Sequence, residues 1–272
     1  MAKSATIERG KVRPAAVAGR FYPGDPVELR DLINVLLSQV PPATGPGPKA
    51  IIVPHAGYLY SGPIAASAYA QFVPARGQVQ RVVLLGPSHY VALSGLATSS
   101  AEAFATPLGV VPLDIAAVRQ VRALPQVREL DEAHADEHSL EVQLPFLQTV
   151  LGDFALVPLA VGDATPEEVS QVLETLWGGS ETRFVISSDL SHYFDFQTAQ
   201  RLDKATAKAI EALKPGGVGE ERACGRIPIR GLLQAARRHG LRARTVDLRN
   251  SGDTAGPRDK VVGYGAFVFE QG

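Results

Sequence analysis

The sequence predicts an α/β fold: a single domain with a mainly parallel central sheet and helices on both faces. Two observations predict it. Short, continuous apolar runs at Ile51, Ile52 and Val53, at Val82 to Leu85, and at Phe184, Val185 and Ile186 suit interior strands covered on both sides. Segments of helical periodicity alternate with these runs, the pattern of βαβ units, whose connections are expected to be right-handed. The 272 residues are 45% hydrophobic, enough to bury one core of this size.

Residues 1–12 are polar and are expected to form a flexible N-terminus to a domain spanning 1–272. They lack the apolar core of a secretory signal. In "DPVELRDLINVLLSQV", apolar residues at Val27, Leu29, Leu32, Ile33, Leu36 and Leu37 mark a helix, with Asp25 as N-cap and Pro26 at its first position. Residues 41–49 are a turn-rich connector. After the strand to Val53, "SGPIAASAYAQF" predicts a helix starting near Ser61, rich in small residues for close packing. The strand to Leu85 follows, and residues 91–111 read as short antiparallel strands. "LDIAAVRQVRAL" is helical, and "EHSLEVQLPFLQTVL" is helical with an interruption near Pro145. "FALVPLAVG" is a strand. "TPEEVSQVLETLW" is a helix capped by Thr165, with Pro166 in its first turn and Glu168 closing a capping box. "RFVISSD" is a strand. "QTAQRLDKATAKAIEAL" and "IRGLLQAARRHG" are helices, the second ended by Gly240. "RARTVDLRNSGD" and "VVGYGAFVFE" close the chain as strands.

A net charge of −1 gives no support for a nucleic-acid or anionic-membrane partner. No apolar stretch is long enough to span a bilayer, so a cytoplasmic location is expected. With one cysteine, Cys224, the chain has no internal disulfide and no zinc site built of several cysteines. A metal would have to draw mainly on the six histidines and on carboxylates. No phosphate-binding glycine motif follows an early strand, so no nucleotide cofactor is indicated.

Three strands end alike. "KAIIVPHAGY" leads through Pro54 to His55, "VVLLGPSHY" through Gly86 and Pro87 to His89, and "RFVISSDLSHY" to Asp189 and His192. Parallel strands deliver such residues to one edge of the sheet, where open α/β folds place their chemistry. Either of His55 and His89 alone reads as a loop residue bonded to backbone. Their matched placement favours a pair of neutral imidazole ligands on stiff approaches. Asp189 and His192 read as a carboxylate beside an acid/base histidine, with Asp189 equally suited to capping a turn. Ser188 and Ser191 lack the nucleophile-elbow pattern, which weakens a serine hydrolase reading. In "DEAHADEHSLEVQLPF", His138 and Glu141 share a helical face at a spacing known from carboxylate metal sites. The alternative is a helix start with Asp136 as N-cap. His134 is assigned to solvent and His239 to a helix C-terminus. Cys224 precedes a helix and reads as a ligand, a redox centre or an inert buried thiol.

Taken together, "RPAAVAGRFYPGDPVEL", "VPHAGYLYSG", "LGPSHY", "DEHSLEVQLPFL", "SSDLSHY" and "CGRIPI" resemble, in order, the motifs of the Memo family. Its prokaryotic members are called AmmeMemoRadiSam system protein B. The resemblance runs from about Arg13 to the last strand. It implies a fold similar to class III extradiol ring-cleaving dioxygenases, which hold Fe(II) with two histidines and a carboxylate. By that resemblance His55, His89 and Cys224 are metal ligands, His192 stands at the acid/base position with Asp189 beside it, and Tyr60 and His138 line the substrate pocket. Cys224 stands where the dioxygenases carry a carboxylate. A thiolate donor suits iron, copper or zinc, and it is oxidisable.

The resemblance therefore implies an iron- or copper-dependent redox enzyme acting on a small aromatic or peptide ligand, with zinc a further option. Two other functions stay open: an adaptor that keeps the crevice as a peptide pocket, as eukaryotic Memo proteins are described, and zinc-assisted hydrolysis. The prokaryotic name implies association with a radical-SAM protein and an AMMECR-type protein.

Overall fold

The computed structural model describes residues 11–272. Most of the N-terminal segment expected to be flexible lies outside them, but its last two residues are placed. Lys11 Nζ pairs with Asp131, and Val12 opens a short strand beside Ala103.

The strands are β1 (Val12–Arg13), β2 (Ala50–Val53), β3 (Arg81–Pro87), β4 (Leu96–Thr98), β5 (Ala103–Thr106), β6 (Gly109–Pro112), β7 (Val127–Glu129), β8 (Ala155–Val161), β9 (Thr182–Ser187), β10 (His192–Phe194), β11 (Leu241–Asn250) and β12 (Val261–Gln271). The helices are α1 (Pro26–Ser38), α2 (Tyr58–Tyr69), α3 (Ile115–Arg122), α4 (Glu132–Ala135), α5 (His138–Glu141), α6 (Leu144–Leu151), α7 (Pro166–Thr175), α8 (Phe196–Glu211), α9 (Arg226–Arg238) and α10 (Ser251–Thr254).

At the centre of the main sheet, β2, β9, β3 and β8 lie side by side and parallel, with Ile52 opposite Ile186, Ile186 opposite Leu85, and Gly86 opposite Ala160. Both flanks turn antiparallel: β12 runs against β2 and carries β10 and β11, and β4 runs against β8 and carries β7. The sheet is thus parallel at its centre and mixed overall. β5 and β6 form the antiparallel pair expected within residues 91–111, and β1 joins them in a separate small sheet.

Side-chain alternation splits the core into two layers. Ile51, Val53, Val82, Leu84 and Val185 pack with α1, α2 and α6. Ala50, Ile52, Val83, Leu85, Phe184 and Ile186 pack with α3, α7, α8 and α9. Asp25 caps α1 as expected, accepting the N–H groups of Val27 and Glu28. The capping box of α7 is complete: Thr165 Oγ1 accepts the Glu168 N–H, and the Glu168 carboxylate accepts that of Thr165.

Two boundaries differ from expectation. Helix α2 starts at Tyr58, whose N–H donates to Phe21 O, three residues ahead of Ser61. The break in 138–151 falls at Val142 and Gln143, and Pro145 sits in the first turn of α6, where its missing N–H costs nothing.

Helices α7 and α9 cross tightly at Gly231, where an added Cβ would lie 2.3 Å from Val169 Cγ1. Gly231→Ala should therefore destabilise the fold by about 1–3 kcal/mol through overpacking. An unchanged urea midpoint would contradict that packing.

Candidate metal centre

Strands β2, β3 and β9 run in one direction, so their C-terminal ends bring His55, His89 and Asp189 together. His55 is buried, and its N–H donates to Asp189 Oδ1 at 2.8 Å. Its Nδ1 lies 2.9 Å from Ser187 Oγ. The Ser187 hydroxyl donates to Ser139 O at 2.5 Å, so toward His55 it can only accept. The network thus assigns the proton to Nδ1 and leaves the lone pair of His55 on Nε2.

His89 is held in the same way by a different group. Glu137 Oε1 accepts its Nδ1–H at 2.8 Å, and Glu137 Oε2 accepts its backbone N–H at 2.6 Å. Its Nε2 is likewise left with a lone pair. Hydrogen-bonding one ring nitrogen so that the other is presented is how metal-binding histidines are oriented.

His138, at the start of α5, completes the group. Its ring stacks on His89 at 4.6 Å between centroids and meets His55 edge-on at 5.4 Å. One ligand atom each from His55, His89 and His138 lies within 4.8 Å of the others. Burial, reinforced by the neighbouring imidazoles, pushes His55 down to about 3 and His138 down to about 4. Both rings are therefore neutral near pH 7, the form a metal requires. This set of three imidazoles, with the Nδ1–H tautomer fixed in His55 and His89, could hold a divalent or redox metal ion.

Cys224 Sγ lies 3.2 Å from His55 Nε2 and accepts the Asp189 N–H at 3.2 Å. Burial, then the Asp189 charge, pushes the thiol up to about 12, so without a cation beside it the sulfur keeps its proton. Asp189 is buried, and desolvation raises its carboxyl despite the His55 N–H bond. His192 is half-buried on β10, close enough to act electrostatically on both His55 and Asp189. Tyr193, next to it, is exposed and adopts φ +64°, a left-handed conformation that disfavours bulky side chains and occurs preferentially near functional sites. Tyr60 is 39% exposed. The Tyr90 hydroxyl lies 3.5 Å from His138 Nδ1.

Three expectations for the 131–141 segment are corrected. His134 is buried, not solvated: Nε2–H donates to Ala97 O at 3.0 Å, and the ring meets Phe104 edge-on. Glu141 is not part of the histidine cluster. Its carboxylate accepts from Arg13, from the N–H groups of Ala16 and Val17, and from the Tyr22 hydroxyl. The cap of α5 is Glu137, not Asp136, with the Ser139 N–H on Oε1 at 2.8 Å. The sequence reading assigned no role to Glu137 or Ser187. A carboxylate beside His138 and a serine at the end of a histidine-delivering strand were the available signals.

A family model described as Memo-like protein matches residues 13–268. The chain belongs to the Memo-like family. Among similar Memo-like proteins, a MEMO1 family protein of Methanopyrus kandleri is 36% identical, covering 96% of this chain and 99% of that protein. One from Aquifex aeolicus is also 36% identical, over 95% and 99%. An uncharacterized protein of Escherichia coli K12, known from its crystal structure, shares the fold at a TM-score of 0.53 and 12% identity, over 80% of this Memo-like chain and 98% of that one. Among the described residues, no helix of this Memo-like protein is long and apolar enough to cross a membrane.

His134 carries a pH signature. Burial pushes it down to about 4, and its Nδ1 has no protein partner to receive a proton's charge. Its folded value lies below the unfolded 6.5, so its contribution to stability is full above pH 6.5 and is lost as pH falls toward 4. Between pH 7 and 5 the wild type should lose about 2 kcal/mol relative to His134→Gln. Parallel urea-unfolding stabilities at the two pH values would contradict this.

Proposed function

We propose that this Memo-like protein is a metal-dependent redox enzyme of the dioxygenase-like type, with iron or copper as its ion. The observation that carries the reading is the pair of imidazoles, buried His55 and exposed His89, whose Nδ1 protons are directed backwards onto Ser187 and Glu137. Backbone-bonded loop histidines would not need two such supports. The residues that would hold the ion are His55, His89 and His138, with Cys224 beside His55 Nε2 as a thiolate donor. When bound, iron or copper supplies a redox couple and Lewis acidity at this position.

The remaining roles fall to the chain. Asp189 fixes the backbone of His55 beside the cluster. His192 is the acid/base residue next to it. Half-exposed Tyr60 and exposed Tyr90 and Tyr193 offer ring faces and hydroxyls to a small aromatic ligand.

Wild-type protein purified anaerobically should contain near-stoichiometric iron or copper by mass spectrometry. His55→Ala and His89→Ala should each lower metal affinity at least about tenfold. His192→Ala should keep its metal and lose turnover of catechol-like substrates under O₂. Unchanged metal content in both ligand variants would overturn the site.

A further inference from the structure

The motif that opens with Arg13 supplies no donor to the cluster, yet its first side chain is buried against the segment that does. Arg13 Nε donates to His134 O at 2.8 Å, Nη2 donates to Glu137 O at 2.9 Å, and Nη1 pairs with the Glu141 carboxylate. That carboxylate is itself anchored by the Ala16 N–H at 2.7 Å, the Val17 N–H at 2.9 Å and the Tyr22 hydroxyl at 2.6 Å. One guanidinium therefore ties residues 134, 137 and 141 of a single stretch to the N-terminal strand. Between those ties stand His138, a member of the cluster, and the Glu137 carboxylate, which takes both the N–H and the Nδ1–H of His89. A planar fork of five donors can serve three acceptors in fixed directions, which a lysine ammonium cannot reproduce.

We infer that Arg13 is a positioning residue of the metal centre: through the backbone of residues 134–141 it sets the aim of His138 and, by way of Glu137, of His89. The inference rests on the reading of the histidine cluster as a metal centre. It makes the N-terminal strand, remote in sequence, part of the site's support.

Arg13→Lys and Tyr22→Phe separate the two roles. Lysine keeps a charge for Glu141 but loses the fork to the two carbonyls. Tyr22→Phe removes a bond to the same carboxylate and leaves those carbonyl contacts in place. Two properties are read: the imidazole ¹⁵N spectrum of metal-free protein, which reports the His89 tautomer, and Zn(II) affinity by chelator competition. Arg13→Lys should shift His89 away from its Nδ1–H tautomer and weaken Zn(II) binding by about tenfold or more. Tyr22→Phe should lower the unfolding midpoint and leave both properties at wild-type values. A folded Arg13→Lys protein with wild-type His89 spectrum and Zn(II) affinity overturns the inference, as do equal losses in both variants. Should Arg13→Lys fail to fold, the wild type decides. Stoichiometric Zn(II) should move the Arg13 Nε–H resonance, and an unmoved resonance overturns the inference. Wild-type protein that binds no Zn(II) would defeat the metal-centre reading, while the tautomer measurement still decides the role of Arg13.

Discussion

The contact on which the site depends is the hydrogen bond from His89 Nδ1–H to the buried Glu137 carboxylate. Burial alone would push that carboxyl up. The bonds from the His89 ring and backbone, with the Ser139 N–H, outweigh it and hold Glu137 down at about 2. An ionised carboxylate kept in this position accepts only, so it dictates which nitrogen of His89 carries the proton. Removing the His89 ring would leave the buried Glu137 carboxylate without its partner, which is costly. Ser187 performs the same task for His55 with a neutral hydroxyl, because its own proton is already committed to Ser139 O.

The fold divides the labour between rigid and local elements. The central parallel strands deliver His55, His89 and Asp189 on backbones fixed by register and by two core layers. His138 and Glu137 instead come from residues 131–141, two single-turn helices, α4 and α5, joined by Asp136 and Glu137. That stretch is held from outside: by Arg13, by Lys11 and two serines on Asp131, and by Ser187 on Ser139 O. Sites need such supporting contacts to keep ligands within the tolerance that metals impose.

The strand-breaker-histidine design was legible in the sequence because parallel direction forces the three ends to one edge. The antiparallel flanks were not, since β11 and β12 read simply as strands and nothing local states their direction. The supporting contacts were also hidden. His55 and Ser187 are 132 residues apart, and His89 and Glu137 are 48 apart, distances over which pattern carries no pairing information. His134 was misplaced because a histidine in an acidic, polar stretch looks solvated. Its ring is buried by the backbone carbonyl of Ala97 and the edge of Phe104, neither of which is near it in sequence. Glu141 looked like a metal carboxylate by spacing alone. Its partners come from the N-terminal motif, and only the three-dimensional path of residues 13–22 shows that they claim it first.

The most direct test is X-ray absorption at the metal edge of protein loaded anaerobically with one equivalent of Fe(II) or Cu(I). The account predicts a bound ion whose spectrum shows the multiple scattering of imidazole rings, diminished in His89→Ala. Protein that refuses iron, copper and zinc alike, or an ion bound without imidazole scattering, would contradict it.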